Sequence, residues 1–335
     1  MNKLSKSLLF LFSTLFGVFI FIYIGNIIGW NFILNSFKIF LNKEGLLIIF
    51  LSFLNAFLGA LRWAQIIKAE GYLKKISLLN LFKIYIAGFS IIYFFPMIIF
   101  GSEFFRASLL NHREKIGWDK ALASVFIERI IEWTINLLVI LTGTFYFFYA
   151  VAKPSENVLF IFIISIFIIL IINILIYFYI FRKKSFIKSI LLKINKEKYE
   201  ESAAIKIEKI VFDYFNLKNK NLWKGYFLSV VKVLVMFLRI WVIMFFLKSV
   251  VDFMGGFSIL GFSFLSTLIP IPAALGVQEL IQAFAFENLN INLGISSAFS
   301  MILRAGDVIV SVTGFVLFFK AGYDFLRSKF FHNEK

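Results

Sequence analysis

Glu103, Arg106 and Arg129 lie in one apolar part of the chain, and Glu279 and Arg304 in another. An ionisable side chain at bilayer depth costs roughly 2.5 kcal/mol or more, so it tends to face a polar cavity or a partner. Arg106, Arg129 and Arg304 are the candidate cations. A guanidinium stays charged and offers a planar fork of donors matched to phosphate and carboxylate oxygens. Gly101 and Gly276 stand two and three residues before Glu103 and Glu279. A helix restarting at such a glycine would aim free N–H groups and the positive end of its dipole at an anion. Together these residues describe a seat for an anionic headgroup such as a phospholipid or a polyprenyl phosphate.

The carboxylates have two readings. Glu103 and Glu279 either pair with an arginine of their own half or, with a pKa raised by desolvation, take up protons. Glu128 and Glu132 flank Arg129 as an ion-pair cluster, and Asp307 is expected to pair with Arg304 three residues earlier. Lys83, Lys232 and Arg239 either widen a basic cavity or snorkel to an interface, whereas Arg62, near the end of its span, is expected to snorkel.

These residues recur with breaks in the chain. The first stretch reads P-M-I-I-F-G-S-E from Pro96 to Glu103, and the second P-A-A-L-G-V-Q-E from Pro272 to Glu279, with Pro270 just before it. Proline removes a helical hydrogen bond and ends or kinks the ladder. Arg62 and Arg239 are 177 residues apart, Glu103 and Glu279 are 176 apart, and Arg129 and Arg304 are 175 apart. Three charged marks at nearly one offset define an internal repeat, at about 45–150 and 224–322.

The elements that must carry these marks are membrane helices. The chain is 61 % hydrophobic and 16 % charged, and several runs of apolar residues are long enough to cross ~30 Å of hydrocarbon. Backbone groups in lipid must be satisfied within the segment, which favours helices; a barrel would alternate polar and apolar positions. Full spans are expected near 8–28, 45–67, 120–150, 157–181, 224–248 and 297–320, the first of them retained rather than cleaved. Residues 182–224 carry twelve Lys or Arg against five acids, which places this linker and both termini in the cytoplasm. Residues 78–118 and 256–295 must then each enter and leave on one face, from opposite sides. The expected fold is an all-α integral membrane protein of one domain, residues 1–335, with about six full spans and two re-entrant hairpins as an inverted repeat. Ile187, Ile190, Leu191 and Ile194 among lysines predict an amphipathic helix on an anionic lipid surface.

Several functions are excluded or left without support. There are no cysteines and two histidines, His112 and His332, so thiolate chemistry and His-rich metal sites are ruled out and no metal or cofactor is expected. The net charge of +16 lies mostly in loops, where it marks topology and lipid contact rather than nucleic acid. A membrane transferase would need a nucleophile or an acidic metal cluster, and no such motif stands out. A scaffold that partners a separate lipid-modifying enzyme is the third reading.

The pattern P-x4-G-x-E-x2-R, an E-R pair about 25 residues on, then P-x-P-x3-G-x2-E and a later Arg resembles one family. It is carried by Pro96, Gly101, Glu103, Arg106, Glu128, Arg129, Pro270, Pro272, Gly276, Glu279 and Arg304. The family is the transmembrane, flippase-like domain of lysylphosphatidylglycerol synthases and the stand-alone UPF0104-type membrane proteins. The resemblance covers nearly the whole chain and implies movement of a membrane lipid or lipid-linked substrate across an inner membrane. The soluble aminoacyl-transferase domain of the bifunctional relatives has no counterpart in this sequence, so the implied role is translocation without synthesis. The substrate it implies ranges over phospholipids, aminoacyl-lipids, glycolipids and polyprenyl-linked lipids.

Overall fold

A computed structural model describes residues 37–69, 76–96, 100–152, 156–185 and 203–331, together with positions 22, 26, 30 and 31. The expected span at 8–28 and the amphipathic positions Ile187 to Ile194 lie outside the described residues. Every regular element in the described residues is helical. We number the α-helices α1 (Lys43–Ala69), α2 (Leu78–Phe94), α3 (Gly101–Glu114), α4 (Trp118–Tyr146), α5 (Glu156–Arg182), α6 (Ala203–Tyr214), α7 (Lys220–Phe246), α8 (Phe253–Ser266), α9 (Val277–Asn288) and α10 (Leu293–Phe331). Five of them, α1, α4, α5, α7 and α10, contain apolar stretches long enough to cross a membrane.

The four helices α2, α3, α8 and α9 are 17, 14, 14 and 12 residues long. At 1.5 Å per residue they reach roughly 18–25 Å, short of a ~30 Å hydrocarbon layer. They form two helix–break–helix units, and the prolines account for the breaks. Phe95, the residue before Pro96, leaves the helical region at φ −130°, and Ile271, before Pro272, is extended at φ −108°. Proline crowds the preceding residue out of the α conformation, so α2 ends before Pro96, and α8, which stops at Ser266, cannot resume through Pro272.

Two apolar cores sit at opposite ends of the bundle. The first gathers α2 and α3 with Trp63 and Ile66 from the end of α1, Ala121 to Ile131 from the start of α4, and Leu222 from the start of α7. The second gathers α8 and α9 with Ile48 from the start of α1, Val139 and Ile140 from the end of α4, Ile240 and Ile243 from the end of α7, and Phe299 and Ile302 from the start of α10. Helices α1 and α10 therefore run from the second core to the first, and α4 and α7 run the other way. Helices α1 and α7, which carry Arg62 and Arg239, are antiparallel.

The halves interlock. Helix α1 packs along α7, α2 along α10, and α8 along α4, while α3 and α9 pack on α4 and α10 of their own halves. Close approach at these crossings uses small residues. A Cβ on Gly143 of α4 would lie 2.8 Å from the Phe257 carbonyl oxygen of α8, and one on Gly314 of α10 would lie 2.2 Å from the Ile86 carbonyl oxygen of α2. Helix α5 is the least buried of the long apolar helices and packs on α4 and α6 near its end.

Candidate functional site

The α1–α7 contact carries reciprocal hydrogen bonds. Arg62 on α1 donates to Ser229 Oγ on α7 at 2.7 Å, and Arg239 on α7 donates to Ser52 Oγ on α1 at 2.8 Å. Residue 52 is 177 before 229, as 62 is 177 before 239, so each half offers the other the same arginine and the same serine. Asn55 Nδ2 donates to the Lys232 carbonyl at 3.3 Å, across the same separation of 177. The contact is reciprocal: each helix gives the other an arginine and receives it on a serine. Neither arginine snorkels: Arg62 is 1 % exposed and Arg239 3 %. The expectation for Arg62 fails because a guanidinium with a carboxylate within reach inside the bundle has no reason to extend to an interface.

The first-half network grows from that contact. Arg62 pairs with Glu128 and, at 3.3 Å, with Glu132. Arg106 Nη1 lies 2.9 Å from the other Glu128 oxygen, and its guanidinium stacks over Trp63 at 4.2 Å and Tyr85 at 4.7 Å. Arg129 donates from Nε to Glu103 at 2.6 Å and from Nη1 to Glu132 at 3.1 Å. Lys232 also pairs with Glu132 and reaches the Tyr85 hydroxyl at 3.4 Å. Lys232 thus faces inward, into the charged cluster and away from an interface.

The second-half network is smaller. Arg304 Nη1 and Nη2 lie 2.5 and 2.6 Å from the two Glu279 oxygens. The same side chain donates to the carbonyls of Ala273 at 3.2 Å and Ala274 at 3.3 Å. Asp307, expected beside Arg304, instead receives Arg239 at 2.6 Å. The reason is the interlock: α7 lays Arg239 against α10, and Asp307 occupies there the position that Glu132 occupies beside Arg62. Tyr93, near the end of α2, donates to the Arg304 carbonyl at 3.5 Å, and α2 also touches the turn at Pro272–Ala274. The first half thereby meets the second break directly.

The breaks are strained in kind. Phe100, the residue before α3, has φ 60°, Ala273 has φ 53° and Ala274 φ 48°; non-glycine residues there cost of order 1–3 kcal/mol each. Gly276 has φ 77°, which glycine adopts without that penalty. Helix α3 begins at Gly101 and α9 directly after Gly276, and neither start has a side-chain cap. The expected helix restarts are present. Each places a glutamate third in the helix, Glu103 or Glu279, so the positive dipole end already faces a carboxylate of its own chain.

Pro96, Gly101, Glu103, Arg106 and Arg129 therefore gather in the first half, and Pro270, Pro272, Gly276, Glu279 and Arg304 in the second. Arg106 and Arg129 belong to one network and Arg304 to the other. Tyr85, Tyr93, Trp63 and the two serines were not singled out by the motif; the Arg62–Arg239 offset was the one signal pointing to that contact. Away from both networks, a cavity of about 340 Å³ lies between α4, α5 and α7, lined by Thr134, Leu138, Tyr177, Phe181, Trp223 and Tyr226 among others. Its walls are nearly all apolar, which suits a hydrocarbon chain rather than a headgroup.

A multi-pass helical membrane protein with broken helices and a buried ionic core is the class these features define. The chain belongs to the lysylphosphatidylglycerol synthase transmembrane-region family, which matches residues 10–314. It is similar to a UPF0104 membrane protein of Methanocaldococcus jannaschii, 26 % identical over 332 residues that cover 94 % of each chain. No solved structure matches it.

Proposed function

We propose that this protein is a lipid translocator, not an enzyme, moving a lipid with an anionic or lipid-linked headgroup across a prokaryotic inner membrane. The proposed topology has six full spans, counting residues 8–28, with both termini in the cytoplasm. The units 78–118 and 256–295 are re-entrant hairpins entering from opposite faces. The headgroup would be held by Arg106, Arg129 and Arg304, with Glu103, Glu279, Gly101 and Gly276 shaping the seat and the acyl tails left in lipid. The single observation that carries this reading is the inverted pair of proline-broken units, each with a Glu–Arg pair at its helix restart. Non-helical backbone at membrane depth survives where it is enclosed by protein or lines a polar cavity, and binding sites of inverted-repeat transporters lie where such elements meet.

The test is translocation of a fluorescent phosphatidylglycerol in proteoliposomes. Arg129→Ala and Arg304→Ala should each abolish transfer while the purified protein stays monodisperse; full transfer by both would remove the anion seat. A scaffold role beside a lipid-modifying enzyme is the second reading. It is favoured by the fact that Arg106, Arg129 and Arg304 each already hold a carboxylate. Stable co-purification with such an enzyme, with no lipid movement, would support it.

A further inference from the structure

The two networks are not electrically alike. Among the described residues, four cations in the first half, Arg62, Arg106, Arg129 and Lys232, face three carboxylates, Glu103, Glu128 and Glu132. In the second half Arg239 and Arg304 face Asp307 and Glu279, two against two. The difference traces to positions related by the repeat. Asn55 stands where the second half has Lys232, so the extra amine comes from α7 across the α1–α7 contact; Gln282 and Leu303 stand where the first half has Arg106 and Glu128. Arg106 and Glu128 cancel, and Lys232 remains as the surplus. A buried charge without a counter-charge is strongly disfavoured in a low-dielectric interior.

The surplus also sits where it can be met. Arg62 and Arg106 are sealed at 1–2 % side-chain exposure, but Arg129 keeps 22 % and Lys232 14 %. Both bind Glu132, so they stand on either side of one carboxylate. The Arg129 bonds to Glu103 and Glu132 use Nε and Nη1, which leaves Nη2 for another acceptor. Deeper in the same network, Arg106 Nε and Nη2 and Ser102 Oγ are buried without hydrogen-bond partners among the described residues, which therefore offer this region too few acceptors. The second half has no equivalent vacancy of charge, because Arg304 is spent on Glu279 and two backbone carbonyls.

We infer that the anion seat lies in the first half alone, between Arg129 and Lys232, and that it takes one singly charged oxyanion such as a phosphodiester. Lys232 sets that charge requirement. This rests on the headgroup-binding reading above and narrows it to one half and one charge; Arg304, held by Glu279 and the Ala273 and Ala274 carbonyls, then keeps the second break in shape and does not touch the anion. A phosphodiester brings one negative charge and balances the network; a doubly charged phosphomonoester would overshoot it. The diester could come from a lipid headgroup or from a small soluble molecule, and the two are separated by measurement.

The experiment uses the full chain in phosphatidylcholine nanodiscs, with affinity read by isothermal titration. The probes are dihexanoyl-phosphatidylglycerol, dimethyl phosphate and dihexanoyl-phosphatidic acid at pH 8.5, where the last carries nearly two charges. The short-chain phosphatidylglycerol is expected to bind at least 10-fold more tightly than the phosphatidic acid. Dimethyl phosphate binding equally well would assign the seat to a soluble diester; binding only of the lipid would assign it to a headgroup. Lys232→Met should weaken the diester at least 10-fold, and Lys232→Arg, which keeps the charge, should stay within about 3-fold of the parent. If Lys232→Met does not fold, Lys232→Arg still decides: with its charge fixed, it must keep the preference for one charge over two. Equal affinity for mono- and dianion, or an unweakened Lys232→Met, overturns the assignment. No binding of any probe by the parent protein overturns the headgroup reading itself.

Discussion

Arg62 and Arg239 show how the surroundings of a residue decide its role. Each is the same residue type in an equivalent helix, and each is closed over by a serine from the other half and a carboxylate from its own half's closing helix. Removing one member of a buried ion pair costs about 3–5 kcal/mol, because the remaining charge is left without a partner. Asp307 keeps 29 % side-chain exposure, so Arg239→Met alone should lower unfolding stability in mixed micelles by less than that, about 1–3 kcal/mol. Arg239→Met with Asp307→Leu should recover part of the loss, since no half-buried carboxylate is then left without its partner. If the double variant is as unstable as the sum of both single ones, the pair is not coupled as described. The Glu–Arg pairing within each half was readable from spacing, because 26 and 25 residues place Glu103 and Glu279 near Arg129 and Arg304 along adjacent helices. The pairing of Asp307 was not, because it depends on a helix 68 residues away.

The element that most constrains the site is the second break. Pro272 opens a short 3-10 turn, two alanines follow in left-handed conformation, and Gly276 leads into α9. The turn presents two consecutive carbonyls to the Arg304 guanidinium, which otherwise would lack backbone partners on that side. Gly276→Ala keeps the chain chemistry but forces a Cβ into a positive-φ position, at a cost of about 1–2 kcal/mol. The expected result is a lower melting temperature with α9 still helical by circular dichroism; an unchanged melting temperature would mean the backbone there is not held at φ 77°. Prolines and glycines announced these breaks. The positive φ of Phe100, Ala273 and Ala274 could not be anticipated, because nothing in a phenylalanine or an alanine favours it.

At the scale of the whole molecule each unit packs into its own apolar core, and the end of α2 in the first unit touches the break of the second. Exchange of the closing helices, α2 with α10 and α8 with α4, makes the halves one body rather than two. The proposed topology puts the α3–α4 turn on the cytoplasmic face and the α7–α8 loop outside. A chain without cysteine allows single labels to check this. Lys115→Cys should react with a membrane-impermeant maleimide only from the cytoplasmic side, and Val250→Cys, at a position 96 % exposed, only from the opposite side. Labelling of both from one face would rule out opposed entry.

Composition and periodicity were enough to establish a helical membrane protein, since long apolar runs have no other way to satisfy their backbone. The repeat, the two proline breaks and the Glu–Arg pair of each half were also legible, because they are local or recur at one offset. The identity of the buried partners was not. Ser229 for Arg62, Ser52 for Arg239 and Glu132 for Lys232 lie 167, 187 and 100 residues apart. They meet because α1 and α7 pack along each other and both lie against α4, and a linear pattern carries no record of which helix faces the fold brings together.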